Sequence, residues 1–302
     1  MKELVIISGK GGTGKTSLTA ALCHLAKDVV CADCDVDAAD LHLLLQPQIQ
    51  QAQDFYSGNE AQIRPQDCRH CDLCAQYCAF EAVVRPSTDQ PNYRIDPLAC
   101  EGCGVCVHFC PVQAIDFPER LCGQWFQSST AYGPLIHARL GIGAENSGKL
   151  VSLVRRQARA LATERGSAYL LIDGPPGIGC PVIASISGAD AVLIITEPTL
   201  SGRHDFLRVA ELCRHFRLPA LLCINKWDIN PQQSQLLQQE AERLNVPLLG
   251  RLPYDPQLTQ AQLQGRPVTC LEPSAASAAI GKLWRNLRLK LDTPNPQTGV
   301  PA

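Results

Sequence analysis

The residues best suited to chemistry lie near the amino terminus, where the chain reads GKGGTGKTS from residue 9 to residue 17. Residues 9–16 follow the pattern G-x-x-x-x-G-K-[ST], in which backbone N–H groups surround nucleotide phosphates. In that pattern Lys15 reaches the terminal phosphates and Thr16 binds magnesium. Lys10 has no role in it and adds a second cation. The residues predicted to bind the nucleotide are Gly9, Lys10, Gly11, Gly12, Thr13, Gly14, Lys15, Thr16 and Ser17.

Two cysteine runs in the middle of the chain form a second candidate site. Residues 68–78 and 100–110 each follow C-x2-C-x2-C-x3-C, and Pro111 follows the second run. This is the spacing of bacterial ferredoxins, in which three cysteines of one run and the last of the other hold each 4Fe–4S cluster. The predicted ligands are Cys68, Cys71, Cys74 and Cys110 for the first cluster, and Cys100, Cys103, Cys106 and Cys78 for the second.

Other interpretations of the cysteine runs remain open. C-x2-C pairs also build tetrahedral zinc sites, although two runs with matched spacing favour iron–sulfur clusters. The clusters could also be purely structural, because ligation itself contributes folding free energy. CAFEAV after the first run resembles CPVQAI after the second, which indicates two related halves; Ala79 replaces the proline of the second run.

Composition limits the class of protein. The 302 residues carry a net charge of -2 with a pI near 6.4, which argues against nucleic-acid partners. The first residues, MKELVIIS, lack the features of an export signal, and no apolar run approaches the roughly 20 residues of a membrane span. We therefore expect a cytoplasmic protein without membrane association, and its sixteen cysteines favour metal or redox chemistry over disulfides.

Apolar runs that alternate with helical patterns predict the elements that position these residues. The predicted strands are residues 4–8, 29–33, 169–173, 191–196, 219–225 and 246–252, and the predicted helices include 15–27, 147–165, 202–217 and 231–244. Strand runs buried on both faces are typical of a parallel sheet covered by helices.

The alternation is interrupted between residues 61 and 118. We predict a doubly wound, mostly parallel α/β fold of the P-loop NTPase type with an inserted small α+β domain like bacterial ferredoxin. The nucleotide domain would comprise residues 1–60 and 119–291, the insert residues 61–118, and a proline-rich disordered tail residues 292–302.

The stretch KGGTGKT resembles the deviant phosphate loop of MinD/ParA-type ATPases, which include the nitrogenase iron protein and Mrp-like iron–sulfur carriers. The resemblance implies ATP and Mg²⁺ as ligands and a nucleotide-dependent dimer, with itself or with a related ATPase. In the family, the lysine at the position of Lys10 reaches the phosphates held by the partner subunit. Such a lysine resembles an arginine finger supplied in trans. The alternative is that Lys10 is a solvated loop residue.

Two further segments fit this resemblance. In DCDVDAAD (33–40), Asp35 matches the carboxylate that orients the attacking water, with Asp37 as the alternative. In LLIDGPPGIGCP (170–181), Asp173 ends a predicted strand, where it can hold magnesium through water. Gly174 and Gly177 would let the backbone move when the terminal phosphate leaves.

The choice of base rests on CINKWD (223–228). Asn225 matches the family's adenine-reading asparagine, yet the same residues spell the guanine-reading N-K-x-D motif, in which Asp228 would bind the base. The deviant lysine of the phosphate loop favours ATP.

Two features of the sequence each allow two interpretations. Cys180 lies seven residues after Asp173, where the nitrogenase iron protein has a cluster ligand. Residues 140–150 supply no second cysteine, however, so the other interpretation of Cys180 is a reactive or buried thiol. The basic amphipathic helix predicted at 278–291 could lie on a membrane or pack on its own sheet.

The resemblance extends to MinD-superfamily ATPases with an inserted ferredoxin domain, through DCDVDAADLHLLL, ENSGKLV, DGPPGIGCPVIAS and TEPTLSGRHD. We favour an ATPase whose dimer changes control electron transfer through two 4Fe–4S clusters to a redox partner protein. One alternative is an iron–sulfur assembly factor that carries a cluster on an exposed thiol such as Cys180 or Cys122. Another is a positioning ATPase whose clusters sense redox state.

Overall fold

The computed structural model describes residues 1–141 and 147–292, which form two compact units. The first unit contains Met1–Gln53, Gln124–Leu140 and the described residues from Ser147 onward. The second contains Asp54–Gly123 and Gly141. The ENSGKLV motif begins outside the described residues.

Thirteen strands occur in the described chain. They are β1 (Lys2–Ser8), β2 (Val29–Asp33), β3 (Gln48–Asn59), β4 (Gln62–Ile63), β5 (Val83–Val84), β6 (Arg94–Ile95), β7 (Ile115–Asp116), β8 (Glu119–Thr130), β9 (Gly133–Leu140), β10 (Tyr169–Asp173), β11 (Ala191–Thr196), β12 (Ala220–Asn225) and β13 (Leu248–Leu252).

Ten α-helices accompany them in the same residues. They are α1 (Lys15–Ala26), α2 (Leu41–Leu45), α3 (Leu73–Gln76), α4 (Val105–Phe109), α5 (Ser147–Arg165), α6 (Cys180–Ile186), α7 (Leu200–His215), α8 (Pro231–Arg243), α9 (Pro256–Leu263) and α10 (Ala275–Asp292). Side chains at the starts of α7, α8 and α9, namely Thr199, Asn230 and Asp255, accept the free N–H groups of the first turn.

A nine-stranded sheet dominates the structure, with strand order β13-β12-β11-β1-β10-β2-β9-β8-β3. The pairs from β13 to β9 are parallel, which confirms the prediction of a mostly parallel α/β sheet. The strands and the four helices predicted above agree with the structure to within two residues. β1, β2 and β10 lie next to one another and are almost entirely buried, so their carboxyl ends bring Ser8, Asp33 and Asp173 to one edge of the sheet.

Helix α10 packs on the sheet of the first unit. Its apolar face is buried and includes Trp284, whose ring meets Tyr169 edge-on at 5.1 Å. Asn286 donates a hydrogen bond to the carbonyl of Leu249 in β13 at 2.9 Å. This face is therefore not available to a membrane, and the membrane-surface alternative for the helix is wrong. Within the two described ranges, no helix is both long and apolar enough to cross a membrane.

The end of α10 corrects one boundary. Asp292, which the sequence analysis placed in a disordered tail, is the last residue of the helix. The rest of the predicted tail, residues 293–302, lies outside the described part of the chain.

The second unit carries both cysteine runs and two short antiparallel sheets, β4 with β7 and β5 with β6. The two runs share one local backbone conformation. Equivalent residues adopt left-handed φ values, which are 56° and 62° for His70 and Gly102, 65° and 75° for Asp72 and Gly104, and 53° for both Glu81 and Gln113. The sequence-based bounds of the insert, 61 and 118, lie inside this unit, which begins at Asp54 and ends its main stretch at Gly123.

Candidate functional site

The predicted phosphate loop connects β1 to α1 at the carboxyl edge of the sheet. Gly12 and Gly14 adopt φ values of 77° and 87°, which bulky side chains disfavour. A Cβ at Gly14 would also lie 2.5 Å from Nδ2 of Asn225, so only glycine fits there. An added Cβ at Gly12 would meet nothing within 4 Å, so this side of the loop has room for a ligand.

Lys15 is the buried cation of the site. It is only 6% exposed, and its Nζ lies 3.0 Å from Oδ1 of Asp173 and 3.3 Å from Oδ2 of Asp35. Burial by itself lowers the pKa of Lys15, but the neighbouring carboxylates, Asp173 first, outweigh it and hold the pKa above its ordinary value. Lys15 is therefore charged throughout the neutral range.

Asp173 connects the phosphate loop to the end of β10. Its two carboxylate oxygens accept hydrogen bonds from Oγ1 of Thr16 at 2.7 Å and from Oγ1 of Thr19 at 2.9 Å. The structure thus brings together the two residues predicted to hold magnesium. Magnesium prefers hard oxygen ligands and keeps several waters, so one hydroxyl and one carboxylate fit such an ion.

The charge of the site also fits a divalent cation. Asp33, Asp35 and Asp173 are buried, and among the described residues Lys15 is the one buried lysine that faces them. Burial raises the pKa of Asp33 well above its ordinary value, and the nearby Asp173 raises it further. Burial also raises the pKa of Asp35, although Lys15 acts in the opposite direction. A bound cation would relieve this excess of negative charge.

Asp33 is a functional residue that the sequence analysis missed. Its Oδ1 accepts the N–H of Asp35 and its Oδ2 accepts the N–H of Leu41, each at 3.1 Å. One buried carboxylate therefore closes the loop between β2 and α2 and fixes Asp35 beside Lys15. Asp37 is exposed, so the geometry favours Asp35 over Asp37 as the residue that faces the phosphates. The sequence feature that could have identified Asp33 is the repeated aspartate at the end of a buried strand.

Lys10 lies apart from this buried group. Its Nζ donates a hydrogen bond to Oγ of Ser201, in the first turn of α7, at 3.1 Å. The amino end of a helix carries partial positive charge, so it is a poor resting place for an ammonium group. The contact holds Lys10 weakly and leaves it able to reach another acceptor.

The residues predicted to bind the nucleotide base already have hydrogen-bond or ion-pair partners in this structure. Asn225 donates from Nδ2 to the carbonyl of Thr13 at 2.8 Å and accepts the N–H of Lys226 at 3.0 Å. Lys226 pairs with Glu197 at 2.6 Å, and Asp228 accepts the N–H of Tyr254 at 2.7 Å. Asn225 therefore supports the phosphate loop in this structure, and its contact with adenine stays a prediction.

The second candidate site consists of two cavities in the second unit. The first cavity is lined by Cys68, Cys71, Cys74 and Cys110. The second cavity is lined by Cys78, Cys100, Cys103 and Cys106. Each cavity thus combines three cysteines of one run with the last cysteine of the other. In addition, the N–H of Ala114 donates a hydrogen bond to Sγ of Cys110 at 3.3 Å.

The remaining cysteines differ in exposure. Cys180 is exposed at the first turn of α6. Cys122 is only 1% exposed and donates to the carbonyl of Ser57 at 3.2 Å, so it is not the exposed thiol suggested above. The other cysteines outside the two runs are buried or half-buried; they are Cys23, Cys31, Cys34, Cys213, Cys223 and Cys270.

Comparison with known proteins gives one family and several relatives. The family described as the CobQ/CobB/MinD/ParA nucleotide binding domain matches residues 4–268. An uncharacterized protein of Methanocaldococcus jannaschii is 31% identical, over 95% of this chain and 96% of its own length. An iron–sulfur cluster carrier protein of Rickettsia typhi is 30% identical, but over only 34% of this chain and 33% of its own.

Solved structures agree with the fold. The cell division ATPase MinD of Pyrococcus furiosus superposes with a TM-score of 0.57 at 19% identity, covering 96% of this chain and 99% of its own. MinD of Pyrococcus horikoshii, complexed with Mg-ADP, superposes with a TM-score of 0.58 at 20% identity and covers 95% of each chain.

Proposed function

The chain belongs to the CobQ/CobB/MinD/ParA family of nucleotide-binding domains, and we propose that it is an ATPase whose nucleotide-driven dimer changes control electron transfer through two 4Fe–4S clusters. The electrons would pass to a partner protein. The family includes the MinD/ParA ATPases, which supports ATP hydrolysis. The redox part of the proposal rests on the second unit.

The observation that carries the redox part is the pairing of cysteines in the two cavities. Each cavity presents the crossed set of four thiols that two-cluster ferredoxins use. In a 4Fe–4S cluster each thiolate binds a different iron, so the four sulfurs stand apart. Around a single zinc ion, with Zn–S of about 2.3 Å, they would crowd together. The crossed pairing of cysteines in the two cavities is what supports clusters over zinc. Among the described residues, no group of three or more His, Cys, Asp or Glu side chains is close enough together to hold a single metal ion.

The hydrolytic mechanism follows from the arrangement around Lys15. Its ammonium would neutralise charge on the transferred phosphoryl group, and Asp35, held by Asp33, would accept a hydrogen bond from the attacking water and orient it. Thr16 and Asp173 would hold magnesium, which supplies positive charge to the phosphate oxygens. Lys10 would leave Ser201 and add a second cation from the opposite subunit.

Two loops of the site are tied to the sheet and can respond to the nucleotide. The N–H of Cys34 donates to the carbonyl of Asp173, and the N–H groups of Gly174 and Gly177 donate to carbonyls of β1, each at 2.8 Å. Asp173 is thus part of the candidate magnesium site and also the first residue of the segment that leads to α6. Loss of the terminal phosphate would change the contacts of Asp173 and the position of this segment, and in this way hydrolysis would change the dimer.

An iron–sulfur carrier is the second candidate function. The similarity to the Rickettsia carrier protein over a third of the chain and the exposure of Cys180 favour it. A carrier would give up a cluster to an apo-protein, whereas cysteines within a compact unit would retain theirs. Cluster transfer therefore distinguishes the two functions.

Replacing Cys71 with serine tests the ligand assignment. Cys71 lines the first cavity, so its loss should remove one cluster and lower the iron content of the reconstituted protein from about eight to about four atoms per chain. Iron and sulfide analysis with electron paramagnetic resonance (EPR) would measure this. Cys180→Ser is the matched control, because Cys180 lies outside both runs and should leave the content at about eight. Unchanged iron in the Cys71 variant would refute the assignment.

An anaerobic redox titration followed by EPR tests the coupling itself. The reconstituted protein would be titrated with and without magnesium and a non-hydrolysable ATP analogue. We expect at least one cluster midpoint to shift by about 59 mV or more, which is a tenfold change for one electron. Midpoints that do not respond to the nucleotide would contradict the proposed control, and release of clusters to an apo-protein would favour the carrier.

A further inference from the structure

We propose that Asp72, Arg85 and Tyr93 form a charged network that sets the reduction potential of the first cluster independently of the second. The two clusters would then be inequivalent, although the cysteine runs that hold them are alike. This inference rests on the proposed function, since it requires that both clusters bind.

The two runs have the same backbone conformation at their left-handed positions but carry different residues there. In the second run, both left-handed positions between cysteines are glycines, Gly102 and Gly104. In the first run, the same positions carry His70 and Asp72, although side chains disfavour this conformation. Side chains that occupy such positions need compensating contacts, and the structure provides them.

Tyr93 supplies contacts to both residues. Its hydroxyl donates a hydrogen bond to Oδ1 of Asp72 at 2.8 Å, and its ring meets the ring of His70 edge-on at 5.6 Å. Arg85 donates to both oxygens of Asp72, from Nε at 2.8 Å and from Nη2 at 3.1 Å. Gln76 adds a longer bond of 3.3 Å. Four donated hydrogen bonds therefore fix the carboxylate in one position.

The network belongs to the first half of the unit. Arg85 directly follows β5 and Tyr93 directly precedes β6, so the β5–β6 hairpin carries both donors. In the second run, an added Cβ at Gly104 would lie 3.3 Å from the ring of Phe117. The turn of the second run therefore packs against an aromatic ring where the first run has a fixed ion pair.

The position of Asp72 relates the network to the cluster. Asp72 and Tyr93 both line the first cavity, whereas Arg85 does not. The other charged residue in that lining is Arg69, whose side chain is exposed and therefore screened by solvent. The second cavity is lined by one charged residue, Glu101, which is also exposed. The first cluster would thus face a fixed carboxylate partly balanced by a guanidinium behind it.

The charges of Asp72 and Arg85 can be detected through the reduction midpoint of the first cluster. At each midpoint one cluster gains one electron from the chemical reductant, so its charge becomes more negative by one. A nearby carboxylate opposes that change and a guanidinium favours it. Asp72 lines the cavity, whereas Arg85 lies outside the lining and its side chain is 58% exposed, so the carboxylate outweighs the screened guanidinium and the intact network lowers the midpoint of the first cluster. Removing either partner alone leaves the effect of the other unopposed.

The test is a series of charge-neutralising variants of the reconstituted full-length protein, with both midpoints followed by EPR. Asp72→Asn keeps a residue that tolerates the left-handed backbone, removes the negative charge, and should raise the midpoint of the first cluster. Arg85→Gln should lower the same midpoint. We expect about a tenfold change in the reduction equilibrium, or about 59 mV, for Asp72→Asn, and a smaller shift for Arg85→Gln because its guanidinium is exposed and screened by solvent. The midpoint of the double variant should lie between those of the original protein and Asp72→Asn.

Three further variants separate charge from structure. Cys71→Ser identifies the midpoint of the first cluster by its disappearance. Glu101→Gln, at the second cavity, should raise only the other midpoint and by less, because an exposed charge is screened. Tyr93→Phe removes a hydrogen bond without changing charge and should lower the first midpoint less than Arg85→Gln does.

The outcomes are distinct. Opposite shifts of one midpoint, with the double variant between the original protein and Asp72→Asn, support the network. Shifts of the same sign, shifts of both midpoints together, or no shift in protein that holds two clusters would overturn it and leave the proposed function standing. Protein that binds no clusters would overturn the proposed function, and this inference with it.

Discussion

Replacing Lys15 with alanine is expected to reduce ATP hydrolysis by about 10³-fold or more, because it removes the charge that stabilises the transferred phosphoryl group. The ammonium group is buried and lies within 3.3 Å of two carboxylates, so a water molecule cannot replace its charge. Phosphate release at saturating ATP would measure the loss. Nucleotide affinity should fall as well, since the same group faces the phosphates before reaction.

The same substitution should lower the free energy of unfolding. It leaves Asp33, Asp35 and Asp173 buried without their shared counter-charge, and loss of one partner of a buried ion pair typically costs about 3–5 kcal/mol. Added magnesium should restore part of this stability by binding the carboxylates. Lys282→Ala is the matched control, because Lys282 is an exposed lysine on α10. A folded Lys15→Ala protein with unchanged turnover would contradict the assignment of this residue.

Most of the nucleotide site follows from sequence for a physical reason. A parallel strand buried on both faces must be apolar along its length, so residues 29–33 and 169–173 are recognisable as strands. A polar residue at the end of such a run lies at the carboxyl edge of the sheet, which predicts the position of Asp173. The glycines and lysines of the phosphate loop then follow from their spacing alone.

Strand β3, which the sequence analysis missed, lacks this signal. β3 contains four glutamines and lies at the edge of the sheet, where most of its side chains are exposed. An edge strand is held by backbone pairing with its neighbour, and backbone pairing leaves no hydrophobic pattern in the sequence. The sequence analysis also missed β9, which is buried from Leu135 to Ala138 but has a histidine and an arginine in its run, so it lacks a continuous apolar pattern.

The burial of individual side chains also could not be predicted from the sequence. Asp33 and Asp35 have the same residue type two positions apart, yet one closes the loop and the other faces Lys15. Cys122 occurs in a polar segment, yet its thiol is buried against Ser57. The contacts of Asp35 with Lys15 and of Cys122 with Ser57 join segments that are distant in sequence, so only the folded chain reveals them.

Replacing Lys10 with alanine should leave nucleotide binding nearly unchanged and remove hydrolysis. In this structure Lys10 contacts Ser201 rather than the buried group around Lys15, so a single chain loses no charge from its own magnesium and phosphate site. A cation supplied by the partner subunit typically contributes about 10³- to 10⁵-fold to turnover. Nucleotide titration and phosphate release on the same preparation would separate the two effects.

Mixing variants tests whether Lys10 acts across the dimer. A Lys10→Ala chain retains its phosphate site, and a Lys15→Ala chain retains its Lys10, so a mixed dimer contains one complete site. Random pairing of equal amounts would make half of the dimers mixed, with one of two sites active, or about a quarter of the original rate. Recovery requires Lys10 to reach the opposite nucleotide. If the mixture stays as inactive as its components while the two chains still associate, Lys10 acts within its own subunit and the dimer does not complete the site.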